Sequence, residues 1–193
     1  MKKKLKPLHI TLIIIGAVLL LLVLWVMGSY NSLVGADELV VEKWANVQSA
    51  YQRRADLIPN LVETVKQYSD YEGSVLTEIT NARASIGKAS TPAEFNAADA
   101  ELNSALSRLL VVVENYPDLK ANENYLSLQD ELAGTENRIK TERDIFNKAV
   151  RDYNIRVRRF PTNMIAGMFG FEKKESFEAA EGSEIAPSVK GLF

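Results

Sequence analysis

Residues Leu8 to Met27 form an unbroken run of 20 residues without a charge, LHITLIIIGAVLLLLVLWVM. A helix rising about 1.5 Å per residue covers about 30 Å over such a run, the thickness of a bilayer's hydrocarbon core. A surface helix of a water-soluble domain keeps one polar face, and this run has none. It reads as a single-pass membrane anchor. Trp25 and Tyr30 fall where interfacial aromatics collect. Lys2, Lys3, Lys4 and Lys6 precede the run, and no Lys or Arg follows it before Lys43. That asymmetry predicts a cytoplasmic N-terminus and an extracytoplasmic remainder. A cleaved signal peptide is the competing reading, but signal cores are shorter, roughly 7–15 apolar residues. Val26-Met27-Gly28 and Val34-Gly35-Ala36 are weak cleavage sites. The chain has no cysteine to carry a lipid.

Lack of cysteine also rules out disulfides, thiolate nucleophiles and sulfur-bound metals. His9, at the edge of the anchor, is the one histidine. The rest of the chain therefore lacks the commonest general base and the commonest metal ligand. Beyond Met27 there are 19 basic and 25 acidic residues. A mildly acidic domain of mixed charge is a poor nucleic-acid partner. The same overall balance disfavours tight adhesion to an anionic bilayer.

From Val40 the apolar residues recur at alternating spacings of four and three. Val40, Trp44, Val47 and Tyr51, then Ile58, Leu61, Val65 and Tyr68, share one stripe, as in helical bundles. Arg54 is the position in that series that is not apolar. Pro59 removes one backbone hydrogen bond, so a kink is expected just before it. Gly73 is a plausible break, after which Val75, Ile79, Ala82 and Ile86 continue the stripe; a first helix unbroken through Gly73 is the alternative. Thr91-Pro92-Ala93-Glu94 is a capping box with proline in the first turn. It opens a helix that carries Phe95, Leu102, Leu106, Leu109 and Val113 and stops at Tyr116-Pro117.

The last helix is expected from about Asn122 to Phe160, with Tyr125, Leu132, Ile139, Phe146, Tyr153 and Phe160 at every seventh position and Pro161 ending it. No stretch sustains the period-two alternation of a strand. The expected fold is all-α: an N-terminal transmembrane helix, then an antiparallel up-down-up-down helical bundle. Expected boundaries are a cytoplasmic segment at 1–7, the anchor at 8–28, an extracytoplasmic bundle at 29–171 and a flexible tail at 172–193.

Four strings go further: YNSLV after the anchor, YQRRADLIPNLVETVK at 51–66, VVENYPDLKANENYLSLQDELAGTENRI at 112–139 and RDYNIRVRRFPTNMIAG at 151–167. Together they resemble the LemA family over nearly the whole chain. The resemblance implies a bacterial membrane-anchored helical bundle outside the cytoplasm. It implies no catalytic residues. By association alone it suggests membrane-protease or stress contexts and a kinship with magnetosome membrane proteins.

Arg54 is the most informative candidate, because an arginine on an apolar stripe needs an acid. Antiparallel pairing places Glu131, Glu136 or Glu142 within reach, and Glu136 is the expected partner. Two readings stay open, a structural ion pair that sets helix register and a partner- or anion-binding arginine. Arg53, Asp56 and Asn60 form a candidate interaction surface, with a plain solvated face as the alternative. Glu72, Glu136 and Glu142 invite comparison with carboxylate metal sites, but bundle sites of that kind use Glu-x-x-His pairs. No metal or other cofactor is expected. No glycine-rich phosphate loop appears, and no Ser-x-x-Lys motif sits beside a strand-helix turn. The apolar segment Met164 to Phe171 contains Met164, Ile165, Met168, Phe169 and Phe171. It is expected either to dip into the membrane interface or to fold back onto the bundle.

The expected function is that of a membrane-tethered, non-enzymatic scaffold or interaction protein of the bacterial envelope. An accessory regulator of a membrane protease or envelope stress system is the alternative. Expected partners are the membrane and a protein, including further copies of this chain. Neither nucleic acid nor a small-molecule substrate is expected.

Overall fold

A computed structural model of the chain describes residues 7–68 and 73–177. Lys2, Lys3, Lys4 and Lys6, Glu72 and the tail beyond Phe177 lie outside the described residues. Six helices account for the described elements, with no strand among them: α1 (Pro7–Lys66), α2 (Gly73–Lys88), α3 (Pro92–Val113), α4 (Pro117–Lys120), α5 (Glu123–Arg158) and α6 (Thr162–Phe169). The apolar run from Leu8 is the start of α1, which continues through Pro59 to Lys66. This helix is long and apolar enough to cross a membrane, and its apolar run is exposed except at the half-buried Val26. α1 ends at Lys66, ahead of Gly73, and just after it the Tyr68 amide bonds back to the Val65 carbonyl at 3.0 Å.

The chain divides into two compact units, each containing parts of α1 and α5. The larger contains Trp44–Asn147 and the chain from Glu175 onward. Its helices form the up-down-up-down bundle. Trp44 of α1 meets Phe95 of α3 and Arg54, further along α1, meets Asn103, further along α3, so those two helices run the same way. Arg53 of α1 meets Glu131 of α5 and Tyr68 meets Asn122, so α5 runs the other way. Three residues join the end of α2 at Lys88 to the start of α3 at Pro92, and Glu78 near the start of α2 meets Arg108 near the end of α3, so these two run oppositely. The stripe residues explain this packing. Val47, Tyr51, Ile58, Leu61 and Val65 are buried, as are Leu76, Ile79, Ala82 and Ile86 on α2, and Phe95, Leu102 and Leu109 on α3.

Local chemistry sets the helix ends. The Thr91 hydroxyl accepts from the Glu94 amide at 3.2 Å, and the Glu94 carboxylate accepts from the Thr91 and Ser90 amides. The box thereby satisfies donors that a helix start leaves unpaired. Hydrogen bonding from Ser90 and Thr91 holds the Glu94 carboxyl below its ordinary pKa. Asn122 caps α5 by accepting from the Tyr125 amide at 3.0 Å. The short α4 was not anticipated; Pro117 starts it and Leu119 is buried.

Near its end, the larger unit has an aromatic cluster. Trp44 lies 5.5 Å from Phe95, 5.2 Å from Phe146 and 5.9 Å from Phe177, ring centre to ring centre. Phe177 is buried. The Asn147 side chain holds its backbone on both sides, accepting from the Phe177 amide at 2.9 Å and donating to its carbonyl at 3.1 Å. An asparagine presenting one donor and one acceptor can pair with a backbone segment as a neighbouring strand would.

The smaller unit consists of the chain through Lys43 together with Lys148–Lys174. Ile165 and Ala166 of α6 are buried against Leu33 of α1, with Val26, Val157 and Phe171 around them. Asn154 grips Lys174 as Asn147 grips Phe177, with both bonds at 2.9 Å. The Lys174 ammonium lies 2.7 Å from Asp37. α6 ends at Gly170, whose φ of 75° is the left-handed conformation that glycine adopts most easily. α5 ends at Arg158, so Phe160 is not the last member of its buried stripe as expected; it is 75% exposed. A residue preceding proline is pushed out of helical conformation, which turns the seventh-residue repeat away from the core one step early.

Candidate functional site

The buried residues of the larger unit are apolar apart from Arg54 and Thr135, among the described residues. Thr135 is satisfied locally, its hydroxyl donating to the Leu132 carbonyl at 2.7 Å. Arg54 is different: it is 2% exposed and its partners come from two other helices. Nη1 donates to Asp99 Oδ1 at 2.8 Å and Nη2 to Asn103 Oδ1 at 2.6 Å. The Glu136 carboxylate lies 3.6 Å from Nη2, on a largely exposed side chain. Nε has no hydrogen-bond partner among the described residues.

Asp99 was missed by the sequence reading. Spacing on α3 offered a signal, since Asp99 and Asn103 stand one turn apart beside Ala98, Leu102 and Ala105. Of the other acids considered for Arg54, Glu131 instead pairs with Arg53 at 3.2 Å and Glu142 with Arg138 at 3.6 Å. Burial raises the Asp99 pKa, with the charges of Arg54 and Arg143 pulling the other way. Next to this pair, Tyr51 stacks on Phe95 at 4.7 Å. Burial, reinforced by the Asp99 charge, pushes its phenol up to about 12. Arg143 closes the group: it donates to Asn96 and lies 4.4 Å above the Phe177 ring.

Arg54 and Glu136 open onto a groove of about 600 Å³. Leu61, Leu106, Leu109, Leu110, Tyr125 and Leu132 line its apolar part; Asn103, Ser107, Gln129 and Asp130 line its polar part. Gln129 donates to the Tyr125 hydroxyl at 2.9 Å. Burial raises the Tyr125 pKa. Leu110 and Val111 are exposed beside the groove. The trough is apolar over most of its lining, and its charged members are the Arg54 guanidinium, already held by Asp99 and Asn103, and the carboxylates of Asp130 and Glu136.

Arg53, Asp56 and Asn60 are all exposed. Asp56 accepts from Gln52 at 2.7 Å, and the Asn60 carbonyl accepts from Thr64 at 2.8 Å. Arg53 helps line a shallower hollow with Ser49, Glu131 and Arg138. In the smaller unit, Ile165 is buried and Phe171 half-buried, while Met164, Met168 and Phe169 are exposed. Among the described residues no three acid, histidine or cysteine side chains converge as a metal ion needs.

Residues 43–190 match the sequence model of the LemA family. Three relatives carry the name magnetosome protein MamQ, from two organisms. One, from Paramagnetospirillum magneticum, is 25% identical over 97% of this chain and 78% of its own length. Another, from Magnetospirillum gryphiswaldense, is 24% identical over 83% and 70%. Protein LemA of Metamycoplasma hominis is 24% identical over 80% of this chain and 71% of its own.

Proposed function

The chain belongs to the LemA family, and on that footing we propose that it is a membrane-tethered, non-enzymatic scaffold or interaction protein of the bacterial envelope. The apolar start of α1 holds it to the membrane, and the bundle offers a binding face outside the cytoplasm. The observation that carries this reading is the open groove bordered by Arg54 and Glu136, with Leu110 and Val111 exposed beside it. Exposed leucine and valine next to a concave apolar surface mark an interaction site more often than a plain surface. The relatives' names, magnetosome protein and LemA, are not enzyme names, which agrees with this reading. Val26 has a place in the packed cluster around Leu33; this supports an anchor that stays attached over a leader that is removed.

Photo-crosslinking in native membranes tests it. A crosslinker at Leu110 is expected to trap a protein or a second copy of this chain, and Leu106→Glu is expected to abolish the adduct. Adducts to self support a scaffold, whereas adducts to a membrane protease move the reading to an accessory regulator. Crosslinking only to water-quenched products, with the chain folded and in the membrane, overturns the groove as a docking face. Orientation is tested separately: protease added to cells with opened outer envelopes is expected to digest the bundle.

A further inference from the structure

α6 buries one face and leaves the other bare. Ile165 and Ala166 sit against Leu33, while Met164 is 62%, Met168 74% and Phe169 50% exposed. Phe160, just ahead of the helix, is 75% exposed. Met164 and Met168 are one turn apart and share the bare side, while Phe169, one turn after Ile165, borders the buried face with half its surface still exposed. Apolar side chains this large do not stand together in water without a partner.

Where this face lies identifies what covers it. Val26, inside the uncharged run, belongs to the cluster that seats α6. Tyr30, three residues beyond that run, meets Phe169 at 4.9 Å and Phe171 at 5.8 Å in edge-on contacts. α6 is therefore fixed at the level where α1 leaves the hydrocarbon, with Trp25 and Tyr30 at the depth of an aromatic belt.

Charge completes the pattern. Residues 156–174 contain five basic residues and one acid, Glu172. Arg156 is engaged by Ser32 at 2.9 Å and Lys174 by Asp37 at 2.7 Å. Arg158, Arg159 and Lys173 are exposed and have no ion pair among the described residues. The acidic balance of the chain beyond Met27, which speaks against adhesion to an anionic surface, is thus locally reversed beside α6.

We propose that α6 lies in the interface of the membrane that α1 crosses. Phe160, Met164, Met168 and Phe169 enter the acyl boundary, and Arg158, Arg159 and Lys173 meet the phosphates of anionic lipids. This rests on the reading of α1 as a lasting anchor. The short helix adds a second attachment that fixes the tilt and rotation of the chain where it emerges.

The chain has no cysteine, so single cysteines take a fluorophore without background. The full chain is placed in vesicles of phosphatidylglycerol and phosphatidylethanolamine, labelled at Met168→Cys, at Ser107→Cys on the bundle, or at Leu19→Cys in the run. The label at 168 is expected to shift to the blue, lose quenching by aqueous iodide and gain quenching by shallow spin-labelled lipid. The label at 107 keeps its aqueous response. Replacing Arg158, Arg159 and Lys173 with Gln is expected to shift the label at 168 towards water in these vesicles and leave it unmoved in pure phosphatidylcholine. Iodide quenching at 168, or protection from both quenchers by another protein surface, overturns the proposal while 19 still reports lipid. If 19 itself escapes lipid quenching, the anchor reading has failed and the proposal fails with it.

Discussion

The Arg83 guanidinium of α2 donates its Nε hydrogen to the Ala55 carbonyl of α1 at 2.9 Å. Ala55 lies four residues before Pro59, which has no N–H to give it. The bond that proline removes from inside α1 is therefore restored from the neighbouring helix. A carbonyl left unpaired in a partly buried position costs free energy comparable to a lost hydrogen bond.

Arg83→Met should therefore lower unfolding stability by roughly 1–3 kcal/mol. In a Pro59→Ala background, the alanine amide takes over the Ala55 carbonyl and the same change should cost less. Urea melts of the four chains measure the coupling; additive losses would show that Arg83 acts elsewhere.

Asp99, more than Glu136, should decide the stability of the Arg54 site. Asp99→Ala strands a buried charge and should cost about 3–5 kcal/mol. Glu136→Gln should cost about 1 kcal/mol or less, because that carboxylate is mostly in water. The pair change Arg54→Met with Asp99→Leu should recover much of the loss. Thermal unfolding in detergent checks all three.

Two carboxyls should respond to acid with opposite signs. Hydrogen bonds from Ser90 and Thr91 hold Glu94 below its ordinary 4.5, so its contribution is complete above that value and fades as pH falls through the lowered native one. Burial raises Asp99 above its ordinary 3.8. The folded state keeps that proton to higher pH, so its contribution is fully present below 3.8 and is lost as pH rises through the raised native value. Denaturation midpoints followed between about pH 6 and 3 should fall less steeply for Glu94→Gln than for the parent. They should fall more steeply for Asp99→Asn.

Asn147→Ala should free the chain at Phe177. Both backbone groups of Phe177 lose their partner, and a cost of roughly 1–3 kcal/mol is expected. Amide hydrogen exchange reads this directly. The Phe177 amide should be slow in the parent and fast in the variant; equal rates would mean that the ring's burial among Trp44 and Phe146 holds it without the clamp.

The features legible from sequence are those that depend on residues close together in the chain. Twenty uncharged residues specify the apolar start of α1, the stripe spacing specifies helices with a buried side, and Thr91 with Glu94 specifies where α3 begins. Each follows from helical period or from side chains within one turn, whatever surrounds them. Arg54 announced itself as buried by its place among Tyr51, Ile58 and Leu61, but which acid would meet it could not be read, because Asp99 is 45 positions away and only packing brings it close. The same holds for Arg83 on the carbonyl freed by Pro59, for Asn147 on Phe177, and for Tyr30 on Phe169. Tertiary structure decided these pairings because burial rewards a satisfied polar group wherever its partner lies in the chain, and periodicity holds no record of distance.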